Sequence, residues 1–180
     1  MKRGVLILMM GATVLPAVAM ANQHSYVGVQ FSQVEYKESG VPDVEPTAIA
    51  IKAGAQLSDY LAVEARVGFG AGDDSASEGP AKLTIEVDNY ISAYIKPTMP
   101  LGERFSVYAL AGVTRSKIKG EITGVVPATS DTDSQTDLSY GVGADLNLST
   151  NSFVSVEYAR LLNGDDYDLD ALSVGLGFRF

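Results

Sequence analysis

The sequence predicts an all-β chain folded as an eight-stranded, antiparallel, up-and-down transmembrane β-barrel. Three observations carry this. Apolar residues recur with a period of two through most of the chain and up to Phe180. The face opposite them is rich in Gly and Ser and holds charges of both signs. The segments between the alternating runs are short and long in turn, the pattern of a barrel with tight turns on one side of a membrane and loops on the other.

The chain has 180 residues, enough for one domain, with no cysteine and one histidine. That excludes a disulfide scaffold and a Cys or multi-His metal site. A net charge of −9 argues against nucleic acid as a partner, because phosphate needs a basic face. The apolar content of 46% is too high for a disordered acidic chain.

The first segment reads as an export label. Lys2 and Arg3 precede an apolar run from Gly4 to Val18, and Ala19-Met20-Ala21 supplies small residues at a cleavage site. The run is shorter than the ~20 residues a spanning helix needs. Residues 1–21 are therefore expected to be a cleaved signal peptide and residues 22–180 the barrel domain. An exported chain without cysteine fits a bacterial envelope.

Eight strands are expected, at 25–37, 46–57, 61–70, 83–97, 105–117, 136–148, 153–161 and 170–180. The first carries Val27, Val29 and Phe31 on one face. In the second, Ile49, Ile51, Ala53, Ala55 and Leu57 oppose Lys52, Gly54 and Gln56. In the third, Leu61, Val63, Ala65, Val67 and Phe69 oppose Glu64, Arg66 and Gly68. The fourth holds Ile85, Val87, Ile91, Ala93 and Ile95, with Asn89 interrupting. The fifth alternates Phe105, Val107, Ala109, Ala111 and Val113 with Ser106, Tyr108, Leu110, Gly112 and Thr114, and either set suits the apolar face. The sixth places Leu138, Tyr140, Val142, Ala144, Leu146 and Leu148 against Ser139, Gly141, Gly143 and Asp145. In the seventh, Val154, Val156 and Tyr158 oppose Ser155 and Glu157. The eighth sets Leu172, Val174, Leu176, Phe178 and Phe180 against Ser173, Gly175, Gly177 and Arg179.

Which face meets water separates a membrane barrel from a soluble one. Small residues suit a crowded interior, and an eight-stranded interior is just wide enough for side chains. The polar face carries Lys52, Arg66, Lys96 and Arg179 against Glu64, Glu86, Asp88, Asp145 and Glu157. These are expected to form a paired interior network, since unpaired buried charge is costly. A soluble periplasmic barrel carrying an apolar ligand is the rival, and it would place Val67 and Leu176 inside.

The ending Ser173-x-Gly175-x-x-Phe178-x-Phe180 resembles the terminal signal by which bacterial outer-membrane barrels are recognised for assembly. With the alternation and the leader, the chain resembles the small outer-membrane β-barrel family ("porin family"), whose members include the Ail/Lom attachment proteins and the membrane domain of OmpA. Gly-Val-Gly-Ala-Asp at 141–145 and Val-Glu-Tyr at 156–158 are similar to that family's penultimate hairpin. The resemblance implies an outer-membrane location with periplasmic termini. The expected partners are outer-membrane lipid, lipopolysaccharide, the barrel-assembly machinery and a host or surface ligand. It implies function poorly, because one fold hosts many roles.

Other candidates are weaker. His24 sits at the periplasmic end of the first strand, so a Ser-His-acid hydrolase is not expected. Glu64 and Glu86, buried inside a filled barrel, would not meet a polysaccharide. Asp166, Asp168 and Asp170 resemble the start of a calcium loop, but Ala171 and Gly177 stand where Gly and Glu are needed. No cofactor is expected. The segment 117–135 starts basic with Arg115, Lys117 and Lys119 and ends acidic with Asp131 and Asp133. It is expected to extend the strands past the membrane into a hairpin, open to strand addition by a partner. The expected protein is monomeric and non-enzymatic, serving envelope integrity or surface interaction; a small channel and an adhesin are the alternatives.

Overall fold

Alternation with β-branched and aromatic residues on one face drives each run into an extended strand. The computed structural model describes residues 25–38, 45–72, 74–78, 81–123, 129–163 and 167–180. At 36–38, 74–78, 81–83, 85–87, 118–123, 129–133, 162–163 and 167–168 it describes the backbone alone. The strands are β1 (Ser25–Glu38), β2 (Thr47–Ser58), β3 (Leu61–Gly72), β4 (Asp74–Glu78), β5 (Ala81–Pro100), β6 (Phe105–Thr123), β7 (Thr129–Asn147), β8 (Ser152–Asn163) and β9 (Tyr167–Arg179). Every pairing is antiparallel. β4 continues the line of β3 along β5, so the wall has eight strands. It closes through β1–β9, and Ser25 and Phe180 exchange backbone hydrogen bonds at 3.3 and 2.9 Å.

The apolar face looks outward. Val67 is 41% and Leu176 56% exposed, whereas Lys52 is 0% and Arg66 2%. This inversion rules out the soluble barrel. It also settles the ambiguous strand: Phe105, Ala109, Ala111 and Val113 of β6 face out, while Tyr108 and Leu110 are buried.

The interior face explains its own glycines. Five aromatic residues stand directly across from glycine: Tyr26 from Gly54, Tyr90 from Gly68, Tyr94 from Gly112, Tyr108 from Gly143 and Phe153 from Gly177. Each ring crowds the place where a Cβ on that glycine would be. A flat ring thus covers a bare backbone, which packs a narrow lumen without bulging the wall.

The short connections are held by their own side chains. Gly102 has φ +123°, the one positive φ among the described residues, and this turn requires glycine. Ser149 Oγ accepts from the amides of Asn151 and Ser152 at 3.3 and 3.1 Å.

The other end is asymmetric. β5, β6 and β7 have 20, 19 and 19 residues, while β1, β2, β3, β8 and β9 have 12 to 14. A tilted span needs ~9–11 residues, so the three long strands stand well clear of the wall. Ile122 pairs with Thr129, so most of the segment 118–135 is ladder rather than loop, as expected; residues 124–128 lie outside the described residues. β8 pairs with β7 only up to Tyr140, so residues 129–139 of β7 pair with β6 alone among the described residues. With β4, these extensions form a raised four-stranded sheet.

A β-bulge marks its root. Tyr90 pairs with Ser116 and Asn89 with Lys117, but Val87 already pairs with Ile118. The extra residue is Asp88. The interruption at Asn89 is therefore a change of face rather than a defect in the pattern.

Candidate functional site

The buried charges gather because alternate residues of several strands face one narrow lumen. Lys52 on β2 stands across from Arg66 on β3, and Glu64 precedes Arg66 on the same face. Lys96 comes from β5, Asp145 from β7 and Glu157 from β8. All six are at most 4% exposed.

Arg66 is the hub. Its Nε donates to Glu64 Oε1 at 2.6 Å. Its Nη1 and Nη2 donate to Glu157 Oε1 and Oε2 at 2.5 and 2.8 Å, a two-pronged pairing between strands that are not neighbours in the wall. Tyr26 donates its hydroxyl to Glu64 Oε2, and Tyr108 donates to Glu157 Oε2 at 2.9 Å. Lys96 donates to Asp145 at 3.1 Å, lies 3.9 Å from Glu64, and stands 3.8 Å over the Tyr108 ring. Lys52 donates to Ser155 Oγ at 2.9 Å. Three cations thus face three carboxylates, and the two glutamates have oxygens bound by both a cation and a phenol. Such satisfaction makes a buried cluster stable.

Toward the loop end the chemistry becomes hydroxyl-based. Thr114 Oγ1 lies 2.8 Å from Ser92 Oγ, 3.0 Å from Tyr94 Oη and 2.8 Å from Ser139 Oγ. Toward the turn end lies a polar cavity of about 150 Å³, lined in part by Gln56, Lys96, Asp145, Asn147 and Arg179. Asp145 Oδ1 is buried there without a hydrogen-bond partner among the described residues.

Three of the nine expected interior charges are not part of this cluster. Arg179 is at the cavity, where it donates to Asn147 Oδ1 at 2.8 Å and lies 4.3 Å over the Phe153 ring. Asp88 is not in the lumen. It pairs with Lys117 at 3.2 Å, and Lys117 follows the outward positions Val113 and Arg115. The bulge turns Asp88 out of the interior face. Glu86 lies beyond the bulge and stands opposite Lys119, not opposite a lumen residue; its side chain is outside the described residues.

Of the terminal motif, Ser173 is buried with its Oγ 2.9 Å from Ser32 Oγ, and Gly175 packs against Ser155 and Lys52. Phe178 and Phe180 are exposed on the outer wall. Asp170 accepts two hydrogen bonds from Arg160, at 2.8 and 3.0 Å. The side chains of Asp166 and Asp168, with His24 and residues 1–21, lie outside the described residues. The cluster's phenols were missed in the sequence. The signal was there: Tyr26 alternates with Val27 and Val29, and Tyr108 with Val107 and Ala109, so both share parity with the inward positions.

The sequence model of the outer membrane protein beta-barrel domain family matches residues 4–180. The chain belongs to this family. It is an outer-membrane protein whose two described ends, Ser25 and Phe180, meet at the short-turn, periplasmic side. It is 26% identical over 150 residues to the outer membrane protein Lom of Escherichia phage lambda, covering 73% of this chain and 72% of that one. It is 25% identical over 163 residues to the attachment invasion locus protein of Yersinia enterocolitica, covering 89% and 88%. The crystal structure of Ail, the attachment invasion locus protein of Yersinia pestis, superposes with a TM-score of 0.64 at 22% identity, covering 88% of this chain and 99% of that chain. At that identity the likeness shows the fold. Ail has also been solved in complex with the heparin analogue sucrose octasulfate, with a TM-score of 0.62 over 87% of this chain and 98% of that chain.

Proposed function

We propose that this barrel is a non-enzymatic surface protein: its lumen is filled by the Arg66 cluster, and its interactions are made by the raised sheet. The observation that carries the reading is the division of labour along the strands. In the wall, every carboxylate of the cluster is bound by a cation on a buried face, which suits a plug rather than a catalytic centre. Above the wall, β5, β6 and β7 run on for most of a second strand length. The names of the relatives, and the heparin analogue bound to Ail, support a surface-ligand role. The open edge of β7 offers backbone groups for strand addition, and Arg115 and Lys117 suit lipopolysaccharide phosphates. In this reading residues 1–21 are removed on export, Ser173, Gly175, Phe178 and Phe180 direct assembly, and the barrel works as a monomer.

The test is a shortened hairpin. Lys117 and Ser134 are register partners, so residues 118–133 can be replaced by Asn-Gly, a turn that closes two-residue hairpins. Cells carrying this variant are expected to export a folded barrel and to lose attachment to host cells or coated surfaces. Undiminished attachment would overturn the reading. The cavity of about 150 Å³ favours one second reading, a narrow channel opening from the periplasm. The filled lumen predicts silence in a planar bilayer, and steady single-channel current would establish the channel instead.

A further inference from the structure

The bulge at Asp88 has a consequence for the raised sheet. Below it, even-numbered residues of β5 pair with the even-numbered, inward positions of β6: Ser92 with Thr114 and Tyr90 with Ser116. Above it, odd-numbered residues do so: Val87 with Ile118, Ile85 with Gly120 and Leu83 with Ile122. Directly paired residues share a face of a sheet. The apolar series of β5 therefore changes sides. Ile91 and Ile95 belong to the lipid-facing wall, while Leu83, Ile85 and Val87 join Ile118 and Ile122 on the face that continues the barrel interior.

The flanking strands complete that face with acid. On β7, Asp133 stands opposite Ile118 and Asp131 opposite Gly120. On β4, Asp74 stands opposite Ile85 and Ala76 opposite Leu83. The cations of the sheet take the other face: Lys117 pairs with Asn89, Lys119 with Glu86 and Lys82 with Thr123. One face thus has aliphatic positions on its two central strands and aspartates on both outer strands, with no basic residue in register among them.

We propose that this face is a docking surface for a cationic amphipathic segment, one whose apolar stripe is bordered by Lys or Arg. The inference rests on the reading that the raised sheet makes the protein's interactions, and it names the partner's chemistry. Five aliphatic positions supply the area that association needs. Acid on both borders selects basic flanks and rejects acidic ones, giving orientation as well as attraction. It also disfavours a second copy of this chain, whose face would bring aspartates against aspartates.

The probe is a synthetic Leu/Lys amphipathic peptide, titrated against the intact barrel in phosphatidylcholine nanodiscs with empty nanodiscs as the blank. A Leu/Glu peptide and an oligolysine of equal charge are the comparators. Tight binding of the Leu/Lys peptide alone is expected. Val87→Thr with Ile118→Thr should weaken it roughly tenfold or more, as loss of buried apolar groups does. Asp131→Asn with Asp133→Asn should weaken it several-fold and flatten its salt dependence. A boiling-dependent gel shift checks that each variant is folded. Oligolysine binding as tightly as the Leu/Lys peptide, or a V87T/I118T variant that binds unchanged, would overturn the proposal. So would a wild-type dimer in sedimentation that these substitutions dissociate, since the face would then be covered by a second copy. Attachment that survives V87T/I118T but not the Asn-Gly replacement would sink this inference and leave the broader reading intact.

Discussion

A single guanidinium links two strands that are not neighbours in the wall. Arg66 meets both Glu64 and Glu157, and each glutamate is also held by a tyrosine. Removing the arginine leaves two buried carboxylates facing each other. Arg66→Ala is therefore expected to cost about 3–5 kcal/mol, read as a lower denaturant midpoint for loss of the gel shift. Removing the charges together should cost less: the triple variant R66M/E64Q/E157Q should recover much of that loss, and a triple variant as unstable as the single one would show that packing, not charge, is at stake. The ring-on-glycine contacts make a second residue-scale prediction. A Cβ at Gly68 would overlap the ring of Tyr90. Gly68→Ala should cost about 1–3 kcal/mol, the usual penalty of overpacking. Tyr90→Leu in the same chain should remove most of the added cost, and the pair should be strongly non-additive in a double-mutant cycle.

At the scale of the strand, legibility followed period. Where one face is aliphatic and the other small or charged, as in Leu61–Phe69 and Leu172–Phe180, the sequence told both the strand and its lipid side. The register across strands was not legible, because it depends on which glycine receives which ring. That is why Tyr26 and Tyr108 were not recognised as partners of Glu64 and Glu157. β5 was the hardest, since Asn89 and Asp88 look like a break in a pattern and are instead a one-residue insertion that swaps faces. A single-sequence count of parity carried Asp88 into the lumen for this reason. Deleting Asp88 removes only the extra residue, so Asn89 and Val87 become neighbours and keep Lys117 and Ile118 as partners. A cysteine pair at Val87 and Ile118 should therefore crosslink both with and without Asp88, and the shortened strand should still fold. Crosslinking that moves to Glu86 and Ile118 on deletion would show that Asp88 is part of the ladder and not an inserted residue.

For the whole molecule, wall and sheet differ in what holds them. The wall is a closed ladder with a buried charge cluster and, among the described residues, no free edge. The raised sheet has two edge strands among the described residues, β4 and β7, and depends on the wall for its root. Stability should thus reside below the bulge and recognition above it. The Asn-Gly replacement of residues 118–133 tests both at once. Because Lys117 and Ser134 already face each other, the shorter turn closes the same ladder, and the wall should keep its denaturant midpoint to within about 1 kcal/mol, as changes remote from a cooperative core do. In the proposed reading the Arg66 cluster, not the hairpin, is the obstruction, so the conductance of the shortened barrel should match that of the full chain. A shortened barrel that leaks would move the seal upward into the raised sheet, and a shortened barrel that fails to fold would make the sheet part of the assembly nucleus rather than an appendage of a finished wall.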